Sequence, residues 1–148
     1  MSRIRVQQPV QHIPSFNEFQ ITAPALRVKL NQLGVQIPMD MLDWQYYFTD
    51  LEGWGKVLYN LVFKSNLYKK DKRDCDWYAF KAKVECEERY GLNAIAFVIG
   101  DASQKRHAFN MFYYGDGFML WEPNEGYPFS GSAFEIGEYS YYPKMVLI

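Results

Sequence analysis

The chain has little of what most site chemistries require. Only two of its 148 residues are cysteine and two are histidine. An ordinary zinc site needs four such ligands in close pairs, and Cys75, Cys86, His12 and His107 are not spaced that way, which argues against structural zinc. An excess of one charge is also missing. Lys and Arg number 16 against 17 Asp and Glu, so the overall charge gives no reason to expect nucleic acid or an anionic membrane as partner. The one basic run, KKDKR at 69–73, is interrupted by Asp71 and reads as a solvated loop rather than a phosphate patch. No apolar run approaches the roughly 18 residues of a membrane span, and MSRIRVQQPVQHIP lacks the hydrophobic centre of an export signal. The sequence therefore reads as soluble and cytoplasmic. Cys75 and Cys86, eleven residues apart, would lie about 16 Å apart on one helix, beyond the roughly 7 Å that a disulfide spans. Reduced thiols follow.

Aromatic residues are abundant. Hydrophobic residues make up 49% of the chain and aromatic residues 18%, enough to exclude disorder and to build one core. The sequence reads as a single domain, 1–148. Residues 1–22 carry Gln and Pro with little periodicity and form an extended arm or irregular lead-in. His12 lies there with nothing nearby to set its tautomer. PALRVKLNQLG, 24–34, reads as a helix started by Pro24 and stopped by Gly34. TDLEGWGKVLYNLVF, 49–63, reads as a second, with Thr49 and Glu52 in capping-box spacing and two glycines that weaken it. A third helix begins at Asp74 and ends at Gly91, with Ala79, Ala82 and Cys86 along one face, suited to close packing on a sheet. Cys86 is then a core thiol. From Asn93 the pattern turns to strands: NAIAFVIG, two more in HAFNMFYYGDGFMLWEP, and YYPKMVLI at the end. Helices first and adjacent strands later give an α+β fold with an antiparallel sheet.

One stretch, RDCDWYAFKAK at 73–83, places a thiol among charges at a helix start. Unpaired N–H groups and the positive end of the helix dipole lower a thiol's pKa there. Asp74 and Asp76 work against this, so a cationic partner is needed, and His107 is the available one. With Gly115–Asp116 as the hairpin loop, His107 faces Asn124, and Glu122 is its diagonal neighbour on the same face. With Asp116–Gly117 as the loop, Glu122 moves one step along but keeps that face. Phe109, Met111, Tyr113, Phe118 and Leu120 complete it. If the Cys75 helix packs on this face, Cys75, His107 and Glu122 form a nucleophile, a base and an orienting acid. Asn124 is a competing orienter, and the N–H of Cys75 or Asp76 is an oxyanion donor. Ser65 and Asn66 are upstream side-chain possibilities for the same role. The bland alternative has equal standing on spacing: His107 and Glu122 satisfy each other, and Cys75 is idle.

DCDWYAF, GLNAIAFVIG and HAFNMFYYGDGFMLWEPNEG together resemble the core of the papain-like and transglutaminase-like cysteine hydrolases. The resemblance covers about 50–130 and is nearest to small phage proteins and the C-terminal protease-like domain of a fungal agglutinin. It implies a papain-like fold with Cys75 as nucleophile, His107 as base and Glu122 as third member. The implied activity is that of a thiol protease, amidase or acyltransferase on a peptide or protein, located in a virion or host cell if the source is a phage. Agglutinin-type relatives depend on calcium. Asp74 and Asp76 alone make no ligand loop, so no cofactor is expected, with calcium as the lesser alternative. The competing reading is a non-catalytic binding or structural module that keeps the fold and contacts a protein or glycan through aromatics such as those of DWQYYF and EYSYYPKM.

Overall fold

The structure is a computed structural model that describes residues 13–148, so His12 and the first part of the expected lead-in lie outside the described residues. The rest of that lead-in is not wholly irregular. Phe19–Thr22 forms strand β1, which pairs antiparallel with β2, Gln45–Phe48. Both have four residues, too few for a period-two pattern to stand out. Between them lies helix α1, Ala23–Gln32, with Pro24 in its first turn and Thr22 as its N-cap. Buried Leu26 and Leu30 fix its inner face.

Helix α2, Leu51–Leu58, is shorter than the 49–63 expected, and its N-cap is Asp50 rather than Thr49. The Asp50 carboxylate accepts the Gly53 N–H at 2.9 Å. Thr49 Oγ1 is buried with no hydrogen-bond partner. The helix stops because Leu61 turns in to bond the Leu58 carbonyl and Phe63 leaves to bond the Pro123 carbonyl. Gly53, a weakness by propensity, is required by packing: a Cβ there would lie 1.9 Å from Thr49 Oγ1. Gly53→Ala is therefore expected to destabilise the fold by about 1–3 kcal/mol, overpacking outweighing the gain of about 1 kcal/mol in helix propensity. Urea unfolding measures this, and an unchanged or raised midpoint would contradict it.

Helix α3 runs from Cys75 to Tyr90, where Gly91 closes it at φ 67°. After it come β3, Ile95–Ala102; β4, Lys105–Tyr113; β5, Phe118–Trp121; and β6, Tyr141–Leu147. They form one antiparallel sheet in the order β5-β4-β3-β6, so the fold is α+β. The β4–β5 turn uses Gly115–Asp116: Tyr114 N–H bonds the Gly117 carbonyl, and Asn110 pairs with Trp121. That is the first of the two registers considered. Among the described residues no helix is long and apolar enough to cross a membrane.

One packing expectation is overturned. Helix α3 does not lie on the His107, Phe109 and Met111 face of β4. It lies on the opposite face, where Ala79 packs with Phe97 and Ala108, and Phe80 stacks on Phe97 at 4.0 Å between ring centroids. Register confirms the side, because Phe97 pairs with Asn110 and Ile99 with Ala108. The His107 face is covered instead by aromatics outside the hairpin, with Phe109 against Tyr141 at 4.9 Å and Tyr113 against Phe48 at 4.8 Å. Strand β4 is buried on both faces from His107 to Tyr113, so alternation could not say which face takes the helix.

Candidate active site

Although α3 lies on the other face, Cys75 and His107 meet at the outer edge of β4. Strand β5 ends at Trp121, and the Pro123 carbonyl that would have continued the ladder goes to Phe63 N–H. Antiparallel N–H groups alternate in direction. Tyr113 donates inward to Ala94, just before β3, so Ala108 points outward, to the side β5 has left. Its N–H and the His107 side chain both lie close enough to the Cys75 sulfur to hold the thiol's pKa down. On the inner side His107 pairs with Gly100, where a Cβ would lie 2.1 Å from the Tyr142 carbonyl. Only glycine fits there.

His107 Nε2 lies 2.6 Å from Glu122 Oε2, which leaves Nδ1 for the sulfur. Glu122, 1% exposed, also accepts the Tyr141 hydroxyl at 2.8 Å and the Asn124 N–H at 3.1 Å. Those donors make its burial tolerable. The structure thus brings Cys75, His107 and Glu122 together as expected. Asn124 is no orienter of His107, because its side-chain Oδ1 accepts the Gly126 N–H at 2.9 Å and shapes the turn after β5. The Asp76 carboxylate accepts the Trp77 N–H and bonds Asp74. The first-turn N–H groups of Cys75 and Asp76 have no acceptor within the helix, so they are available to an anion beside the sulfur. Ser65 and Asn66 belong to a short 3₁₀ turn, where Ser65 N–H bonds Glu125 instead.

Electrostatics follow from this geometry. The His107 hydrogen bond lowers the Cys75 pKa, with help from Ala108 N–H, against burial and the charge of Asp74. Burial acts to lower the His107 pKa, but the bonds to Cys75 and Glu122 outweigh it and push the imidazole up to about 9. Half-buried Cys75 is drawn toward thiolate while burial pushes the Cys86 thiol up. Both shifts run toward a thiolate–imidazolium pair.

These shifts have opposite effects on stability. A raised imidazole contributes stability that is complete below its ordinary 6.5 and lost as pH rises through about 9. A depressed thiol contributes stability that is complete above its ordinary 9.0 and lost as pH falls through its lowered value. Where the windows overlap, below pH 9, the slopes cancel. In Cys75→Ser only the imidazole's share remains, held up by Glu122. Relative to wild type, its urea midpoint is expected to fall as pH rises above 6.5, over a window that closes earlier than 9 because Cys75 no longer helps raise the imidazole; parallel curves for the two proteins would contradict the pairing.

A cavity of about 470 Å³ opens beside the sulfur, floored by Phe80, Phe97, Ile99 and Ala108. Asp74, Asp76 and Arg106 line it as well. Sequence reading missed Arg106, the Ala108 N–H and Tyr141. Tyr141 reaches Glu122 only because β6 carries a register shift opposite Ile99–Gly100, which its residues do not announce. Among the described residues no group of three or more His, Cys, Asp or Glu is placed to hold a metal ion.

Comparison with known proteins adds the fold alone. No family model and no curated protein matches the chain. Nine chains among solved structures are similar. One is described as "PSL1a-E64 complex", with a TM-score of 0.62 and 16% identity, matched over 87% of this chain and 51% of that one. The chain thus spans about half the length of that structure.

Proposed function

We propose that the protein is a thiol hydrolase or acyltransferase of papain-like type that acts on amide bonds in a peptide or protein. The observation that carries this is one imidazole bonded to a buried carboxylate and set beside a half-buried thiol whose pKa it lowers. The Cys75 thiolate attacks the amide carbonyl and forms a C–S bond, and charge collects on the carbonyl oxygen near the first-turn N–H groups. The His107 imidazolium gives its proton to the leaving nitrogen as the C–N bond breaks, leaving a thioester. Water, or an acceptor amine, then loses a proton to neutral His107 and attacks the thioester. The acyl product departs, and thiolate and imidazolium are restored. Glu122 keeps the ring oriented through both halves. Two unpaired thiols support a reducing setting, the cytoplasm of a cell or, for a phage protein, its host.

Exposed rings favour a second reading, a binding module that retains the fold. Trp44 is 90% exposed beside a groove lined by Arg27, Met41 and Leu42. Turnover separates the two. With a library of fluorogenic peptide amides, wild type is expected to release amine and Cys75→Ala none. Prior incubation with E64, the compound named with the similar structure, is expected to protect Cys75 from iodoacetamide. No release from any amide and no protection would favour the binding module.

A further inference from the structure

We infer that Asn110 is a positioning residue that sets the approach of the Cys75 helix to the His107 strand. This rests on the Cys75–His107 pairing of the proposed function. Asn110 sits on β4, three residues beyond His107, and is fully buried between the sheet and α3. Its Nδ2 donates to the Ala79 carbonyl at 2.9 Å and to the Ala96 carbonyl at 3.1 Å. Ala79 is one helical turn from Cys75, and Ala96 lies on β3. One amide nitrogen therefore ties the first turns of α3 to two adjacent strands.

Satisfying the backbone does not explain these bonds. An α-helical carbonyl at Ala79 already accepts the N–H four residues on, from Lys83. The other end of the amide gains nothing, since Asn110 Oδ1 is buried with no partner. A polar group left half satisfied in a core contributes little net stability, because the stranded acceptor offsets the bonds made. What it does supply is direction. Helix α3 meets the sheet here through Ala79 and Ala82, whose short side chains raise no ridge against sliding along β4. Asn110 is one of two directional contacts at this level, the other running from Lys83 Nζ to the Ile95 carbonyl at 2.9 Å one turn further from Cys75. Three residues away, the His107 side chain and the Ala108 N–H both act on the Cys75 sulfur, and interactions of such short reach tolerate only small displacement.

The test is Asn110→Leu in the full chain, read in three ways: urea midpoint, iodoacetamide labelling of Cys86, and the pH profile of Cys75 labelling. The variant is expected to fold with Cys86 still protected, while Cys75 labelling at pH 6 slows by roughly tenfold to a hundredfold and its pH midpoint rises. Merely structural damage would instead expose Cys86 and lower the urea midpoint in step with any change at Cys75, and that result overturns the inference. So does a folded variant with the wild-type profile. Should Asn110→Leu not fold, Asn110→Ser gives the same readings with less bulk. A wild-type profile like that of an exposed thiol overturns the proposed function and this inference together. A low wild-type profile that the variants leave unchanged overturns the inference alone.

Discussion

Replacing His107 with alanine is expected to slow iodoacetamide labelling of Cys75 at pH 6 by roughly tenfold or more, since each pKa unit is a factor of ten in thiolate. The His107 hydrogen bond is the largest influence that lowers the Cys75 pKa. Without it the Ala108 N–H remains, opposed by burial and by Asp74. The thiol then returns toward its ordinary 9.0, at which only about a thousandth is thiolate at pH 6. A depressed thiolate is also a weaker nucleophile, which trims the wild-type advantage without cancelling it. Cys86 serves as the internal control, fully buried on the same helix, and is expected to stay unlabelled in both proteins. Equal profiles in wild type and variant would leave His107 with no role in activating the sulfur.

Removing the carboxylate has the larger effect on the fold. Glu122→Ala leaves His107, 6% exposed, without its carboxylate partner and the Tyr141 hydroxyl and Asn124 N–H without their acceptor. Breaking a buried ion pair from one side costs about 3–5 kcal/mol, and although His107 keeps Cys75 beside it, the two other buried donors to the carboxylate are stranded as well. In a domain of this size that lowers the melting temperature by about 10 °C or more. Glu122→Gln keeps an oxygen for some of these donors and is expected to cost less. It should nevertheless reduce Cys75 labelling more than Asn124→Ala does, since the Asn124 side chain bonds Gly126. Calorimetry checks the first expectation and labelling the second; a Glu122→Ala protein as stable as wild type would mean the pair is not the buried anchor described.

Much of the site was legible because it rests on short-range rules. Either loop within Gly115–Gly117 gave the same parity, which puts Glu122 on the face of His107, and the structure takes the Gly115–Asp116 register. Gly91 and Asp74 marked the ends of α3, and the thiol stood at its first residue. What stayed illegible depends on distant chain. The face of β4 that takes α3 is decided by Phe97 and Phe80 on one side and Tyr141 on the other, and all seven residues from His107 to Tyr113 are buried. The departure of β5 toward Phe63, which frees the Ala108 N–H, depends on where α2 stops. Even Thr49 and Glu52, a fair capping-box signal, lost to the adjacent Asp50, whose carboxylate takes the Gly53 N–H. Local chemistry named the reactive groups, and long-range packing set how they approach.

The most direct test is a thiolate titration of Cys75 by ultraviolet absorbance in a Cys86→Ala background, from acid to mildly basic pH. A thiolate already formed well below pH 8, and lost from that range when His107 is alanine, is the predicted result. A single rise near pH 9 in both proteins would contradict the thiolate–imidazolium pair on which the reading of this protein depends.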